Sequence, residues 1–252
     1  MVELRQTPNA YRGKHVRYWT ECTCFQDALR RAGGHVNEAA RLEAGRLNPH
    51  ASDDDRALRA VQHLTLATFD ATRLPDGPTN PYTFALRWFE SISGHPIAPS
   101  YYDGPPAALY FYSPGKGRGK THLAAGLLLR AQADGRNVAF VDEIDYIERY
   151  WAADFAAKAA MSGLPAERAW LTVLDDMGQR ENRPAGLRDA WYDILNPRWM
   201  KRGWTVITSN RTPDELVEQG TINDATYSRL SQMTRKQLVT FAGTDYRLEF
   251  AK

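Results

Sequence analysis

The chain has 252 residues, 43% of them hydrophobic, with 32 Lys+Arg against 30 Asp+Glu and a net charge of +2. That size and apolar share allow one substantial core plus a smaller piece, and the near balance of charge excludes a globally basic nucleic-acid coat, so any contact with nucleic acid has to be local. No run approaches the roughly 20 apolar residues of a membrane span, and the opening MVELRQTPNAYRGKHVRYW lacks the apolar stretch of a secretory signal, so a cytoplasmic location without membrane contact is expected.

Residues 1–65 read as a small helical region. CFQDALRRAG, HVNEAARLEAGRL and DDDRALRAVQHL are separated by Gly33-Gly34 and by NPHASDDD, where Asp53 to Asp55 suit a helix start. The first fifty residues carry eight basic side chains (Arg5, Arg12, Lys14, Arg17, Arg30, Arg31, Arg41 and Arg46) against five acidic ones, an excess that a solvated helix surface explains. Cys22 and Cys24 are too close in sequence for ordinary disulfide geometry, so reduced thiols are the simplest reading. YRGKHVRYW mixes aromatic with basic residues, a composition that either packs as an ordinary segment or stacks on single-stranded DNA.

Residues 66–106 read as a linker and lead-in helix. TFDATRLPDGPTNPY and SGHPIAPSYYDGPP flank one helical segment, TFALRWFESI, with Pro and Gly on both sides. From residue 107 to 252 short apolar runs alternate with helical segments, the signature of an α/β domain with a parallel sheet covered by helices on both faces. Five strands are predicted, at about 108–112, 138–142, 171–176, 204–209 and 237–242.

Between the first strand and the following helix lies YSPGKGRGKTHL. The stretch Pro114, Gly115, Lys116, Gly117, Arg118, Gly119, Lys120, Thr121 and His122 has the form of a phosphate-binding P-loop. Glycines let successive N–H groups point inward, and the helix offers its positive end to the same anion. Lys120 is then placed for the β- and γ-phosphates of ATP and the Thr121 hydroxyl for Mg²⁺. The usual pattern has glycine where Pro114 stands; proline fixes φ and donates no N–H, so Gly115 is expected to take the flexible role there.

Two apolar runs end in acids, NVAFVDEIDY (137–146) and WLTVLDDMGQR (170–180). Asp142, 22 residues after Lys120, closes the second strand; Asp175, 55 residues after it, closes the third. Which carboxylate can share a metal ion with Thr121 depends on the order of the strands.

GKGRGKTHLAAG, LTVLDDMG, WTVITSNRTPDEL and YSRL occur in the order found in DnaC/DnaI-type helicase loaders and the related IstB transposition ATPases, of the AAA+ class; the chain resembles this branch from about 66 to 248. The resemblance implies a five-stranded sheet in the order 5-1-4-3-2. With strands about 4.8 Å apart, the third strand then lies about 10 Å from the P-loop strand and the second about 14 Å away. Asp175 is accordingly expected to hold Mg²⁺ with Thr121, and Asp176 to polarise the attacking water. Asp142, Glu143 and Asp145 are left to open the following helix by capping it. Aspartate in place of the longer glutamate at 176 suggests slow hydrolysis, suited to a timed switch.

Asn210 resembles the sensor that touches the γ-phosphate. In NRTPDEL, Thr212 serves as N-cap, Pro213 as first helical residue and Glu215 as capping-box partner, which leaves Asn210 for the nucleotide. Arg229 matches the family's arginine finger, which reaches a neighbouring subunit's phosphate and implies self-association into a ring or open helix. Only TDYRLEFAK follows the last strand, so no C-terminal lid is expected, and Arg247 is a weak candidate for a second sensor. Relatives of this kind often carry an N-terminal zinc cluster; here only Cys22 and Cys24 correspond, with His15 and His35 as the nearest further ligands, and a structural site wants four.

The function this implies is an ATP-dependent loader of a hexameric replicative DNA helicase onto single-stranded DNA, with Mg²⁺ as cofactor and hydrolysis timing release. An IstB-like transposition helper is the alternative, and a nucleotide-gated assembly factor with little hydrolysis the alternative of another class. A small-molecule kinase has no evident need for the TSN strand end or the SRL helix.

Overall fold

The computed structural model describes residues 53–77, 79–152, 169–179 and 187–246, all within one compact unit that begins at Asp53. Expectations for His15, Cys22, Cys24, His35 and Arg247 lie outside the described residues.

Five strands form one sheet: β1 (Ala108–Tyr112), β2 (Val138–Asp142), β3 (Leu171–Asp175), β4 (Trp204–Ser209) and β5 (Val239–Thr240). Their spatial order is β2-β3-β4-β1-β5, with every pairing parallel, which is the order the resemblance implied, read from the other edge. β3 and β4 are buried along their whole length, as strands covered on both faces must be. β1 to β4 match their predicted spans to within a residue, whereas the fifth run shortens to two residues paired with Phe111 and Tyr112.

The register sets the strand tips level. Asp142 lies opposite Asp175, Leu174 opposite Ile207, Phe111 opposite Thr208 and Tyr112 opposite Ser209. All parallel strands therefore end along one edge of the sheet, where open α/β sheets bind their ligands.

The helices are α1 (Asp53–Ala60), α2 (Pro81–Ile92), α3 (Lys120–Ala133), α4 (Glu143–Ala152), α5 (Leu187–Lys201), α6 (Pro213–Glu218) and α7 (Asp224–Thr234). α3 is apolar almost all round: Leu123, Ala124, Leu127 and Leu128 are fully buried where it packs across β2, β3 and β4. Among its partners is the short 3-10 turn Leu66–Thr68; Gly126 permits this approach, because a Cβ there would lie 2.9 Å from Leu66 Cδ2 and 3.0 Å from its backbone nitrogen. α7 packs against both α5 and α6 and reaches β1. α1 packs against β2, and α2, capped by Asn80, is pinned by Trp88, whose Nε1 donates to Pro106 O at 2.8 Å and whose ring meets Trp204 edge-on. Among the described residues no helix is long and apolar enough to cross a membrane.

Candidate nucleotide-binding site

The loop after β1 turns by using positive φ at Gly117 (68°) and Gly119 (86°). Gly115, expected to be the flexible residue, keeps an ordinary φ; its carbonyl instead accepts from the Ser113 hydroxyl at 2.6 Å and from Lys120 Nζ at 3.3 Å. Gly119 is the N-cap of α3 and supplies no side chain, so the first turn of a 14-residue helix opens with uncapped N–H groups. A glycine loop leading into an uncapped helix start is an arrangement that could hold a phosphate. Lys120, only 5% exposed, also donates to Ser113 Oγ at 2.6 Å and to Asn210 Oδ1 at 2.7 Å. The loop and its neighbours line a cavity of about 360 Å³, bounded by residues 116–122 together with His63, Leu64, Asp176, Gln179, Asn210 and Tyr246. Pro114 and Gly115, at the start of the loop, are not among the lining residues.

On the acidic side, Asp175 is 4% exposed and each of its oxygens accepts from a threonine: Oδ2 from Thr121 Oγ1 at 3.1 Å and Oδ1 from Thr208 Oγ1 at 2.6 Å. Burial, with the adjacent Asp176 adding to it, pushes the Asp175 carboxyl up to about 7, against the pull of the two hydroxyls. A cation between Thr121 and Asp175 would remove that penalty, so the donor set fits a divalent metal. Asp176 leaves the strand at φ 55°, a left-handed conformation that aspartate tolerates better than most residues, and its N–H donates to Thr208 Oγ1 at 2.9 Å. Asp176, at the start of this turn, lines the cavity, as does Asn210.

Asp142 stands beside Asp175 in the sheet but on the far side from β4 and β1, and it does not line the cavity. Its Oδ1 caps α4 by accepting from Asp145 N at 3.0 Å. The capping box of α6 is likewise present: Thr212 Oγ1 accepts from Glu215 N at 3.2 Å and Glu215 Oε2 from Thr212 N at 2.6 Å.

The opposite end of the cavity is made by His122, the last residue of the predicted loop stretch, together with residues the motif reading passed over. His122 Nε2 lies 3.0 Å from Thr65 O and 3.1 Å from Thr68 Oγ1. A carbonyl can only accept, so the ring proton sits on Nε2, and burial holds the imidazole below its ordinary pKa. Phe69 meets His122 edge-on and stacks on Tyr82. These contacts fix the stretch that brings His63 and Leu64 to the cavity. Beyond β5 the chain turns back over the loop: Tyr246 N donates to Gly117 O at 3.0 Å, the Asp245 carboxylate fills the space a Cβ at Gly117 would need, and Arg73 lies over the Tyr246 ring. Thr208 and Ser113 were missed because a single buried hydroxyl in or beside a strand has no sequence signature; Tyr246 was missed because its contact is purely tertiary.

Arg229 does not line the cavity. It is held within the chain, with Nε donating to Asn196 Oδ1 at 2.6 Å, Nη1 to Ala225 O at 3.0 Å and Nη2 to Tyr192 OH at 3.3 Å, and with its guanidinium over the rings of Tyr192 and Trp199.

A parallel sheet in this order, with a glycine loop and Lys-Thr after its P-loop strand and paired aspartates after the strand two places along, defines an AAA+ P-loop domain. The sequence matches the IstB-like ATP binding protein family over residues 111–251, more than half of the chain, and the protein belongs to that family. Among solved structures it is similar to AMPPCP-bound DnaA from Aquifex aeolicus, with a TM-score of 0.52 and 18% identity over 75% of this chain and 53% of that one. It is similar to a DnaA replication initiator bound to AMPPCP and single-stranded DNA, with a TM-score of 0.52 and 18% identity over 73% and 51% of the two chains. It is also similar to the DnaC helicase loader, with a TM-score of 0.52 and 19% identity over 73% of this chain and 99% of that one. At such identities the fold is what is shared, and the chain spans about half the length of the two DnaA chains. No curated protein matches the sequence.

Proposed function

We propose that the protein is an ATP-hydrolysing switch that loads a hexameric replicative DNA helicase onto single-stranded DNA, with residues 1–65 as the partner-binding region, 66–106 as the lead-in and 107–252 as the ATPase domain. The observation that carries the hydrolytic part is convergence: Lys120, Thr121, Asp176 and Asn210 face one cavity, and Asp175 is hydrogen-bonded to Thr121 beside it. ATP phosphates lie on the loop amides and on the start of α3, with Lys120 exchanging one of its present acceptors for a phosphate oxygen. Thr121 and Asp175 would hold Mg²⁺, whose contribution there is neutralising phosphate charge. Asp176 orients and polarises the attacking water, and Asn210 reports the γ-phosphate. Arg229 serves a neighbouring protomer's nucleotide in a ring or helical oligomer, which requires it to leave Asn196 and the two aromatic rings.

Support for the loader reading comes from the fold shared with nearly all of the DnaC chain. The family match favours a second reading, an IstB-like transposition helper. Two measurements separate them. Asp176→Asn should lower Mg²⁺-dependent ATP turnover about 10²-fold or more, and unchanged turnover refutes the hydrolytic role. Full-length protein should retain a hexameric replicative helicase on a column, and a variant lacking residues 1–52, which keeps the unit from Asp53 onward whole, should not. Equal retention, or none by either, moves the assignment to transposition.

A further inference from the structure

The acidic pair that closes β2 is left over once Asp175 and Asp176 are assigned. Asp142 is used as a helix cap. Glu143 does something else. It is the first residue of α4 and is fully buried, at 0% exposure, and its Oε2 accepts the backbone N–H of Gly178, 35 residues along the chain. A wholly buried carboxyl is costly to keep, so it has to be repaid by what it holds.

What it holds is the turn that starts at Asp176. Gln179 N closes that turn on Asp176 O at 3.0 Å, and Gly178 sits at φ 84°. From the β4 side the turn is tied by Met177 N to Thr208 O at 2.9 Å, by Ser209 Oγ to Met177 O at 2.5 Å and by Arg211 Nε to Gly178 O at 3.2 Å. Glu143 ties it from the β2 side, so Gly178 is gripped at its carbonyl by one neighbouring segment and at its N–H by the other. Asp176 keeps φ 55° at a cost of about 1 kcal/mol or more, and such a conformation persists only where the surroundings over-determine it. Relaxation of the turn would rotate the Asp176 carboxylate away from the cavity wall. Arg211 directly follows Asn210, so the clamp also joins the residue facing the γ-phosphate to the residue facing the water.

We infer that Glu143 is a positioning residue: through the Gly178 amide it fixes the turn that aims Asp176. The inference rests on the hydrolytic reading above. It calls for an acceptor at 143 and not for a charge, so glutamine should serve and alanine should not.

The test compares Glu143→Ala and Glu143→Gln in the full chain, reading steady-state ATP turnover with Mg²⁺ and hydrogen exchange of the amides at 177–179. Glu143→Ala should lower kcat about 10- to 100-fold, as expected for a reacting group displaced by the order of 1 Å, with KM for ATP within about threefold of wild type. The Gly178 amide should exchange at least about tenfold faster. Glu143→Gln should match wild type in both readouts. Should the alanine variant unfold, Glu143→Met, which keeps the bulk and lacks a strong acceptor, takes its place. An unchanged kcat in the alanine variant, an unchanged exchange rate, or a glutamine variant as impaired as alanine overturns the inference. Wild-type protein without turnover refutes the hydrolytic reading and this one together, whereas wild-type turnover with Glu143→Ala unimpaired refutes this one alone.

Discussion

Asp175→Asn offers a quantitative test of the site that does not depend on catalysis. The native carboxyl releases its proton near pH 7, against an ordinary value of 3.8, chiefly because it is buried and secondarily because Asp176 adjoins it. At about 1.4 kcal/mol per pH unit this amounts to a penalty on the order of 4 kcal/mol when the group is fully ionised in the folded chain. The sign follows from the raised value. The folded state binds the proton more tightly than the unfolded state, so stability from this group is complete below pH 3.8 and is lost as pH rises through 7. Roughly 3 kcal/mol of that loss falls between pH 5 and 8. Asparagine has nothing to ionise and still offers an acceptor to Thr121 or Thr208. In a nucleotide-free buffer with chelator, the wild-type melting temperature should therefore fall between pH 5 and 8 relative to the variant by about 6–12 °C, at about 2–4 °C per kcal/mol for a domain of this size. The assay is paired thermal melts across that range. Parallel curves for the two proteins would refute the argument that Asp175 is held in an environment hostile to its charge. Mg²⁺ with nucleotide should shrink the difference, because the ionised form is then the one favoured.

Two further outcomes follow from geometry. Thr208→Val keeps the volume of a fully buried residue but removes the hydroxyl that accepts from Asp176 N and donates to Asp175, so urea denaturation at neutral pH should show a loss of about 1–3 kcal/mol, and a loss below about 0.5 kcal/mol would mean that the hydroxyl bridge is dispensable. Gly126→Ala pushes a methyl against Leu66, whose turn carries the His63–Leu64 wall of the cavity; nucleotide affinity measured by titration calorimetry should weaken several-fold, and unchanged affinity would separate that wall from binding.

The sheet was legible because each strand is a short apolar run bounded by turn residues, and the loop because glycines, Lys120 and Thr121 occupy fixed positions between a strand and a helix. The choice between the two acidic strand ends needed something no single string contains, the spatial order of strands, and the observed order puts Asp142 on the edge strand. Local letters failed wherever a contact is made across the fold. The last strand looked six residues long, yet only Val239 and Thr240 find partners on β1, and the residues beyond turn over Gly117. His63 and Leu64 lie within the segment read as a small helical region, yet they line the cavity, just before the point where Gly126 lets Leu66 pass close to α3. Glu143 looked like a helix opener by position; its side chain is spent on a turn 35 residues later.

Lys120 has consequences for which ligands the site can choose. Its ammonium carries three hydrogens, and Ser113, Gly115 and Asn210 each accept from it. A newcomer must outbid one of them. A neutral hydroxyl or the edge of a base brings no better acceptor than the asparagine it would evict, whereas a terminal phosphate brings formal charge and several oxygens. Discrimination by displacement thus favours polyphosphate chains over nucleosides, and where the acceptor displaced is Asn210, the same exchange loosens the residue that follows β4.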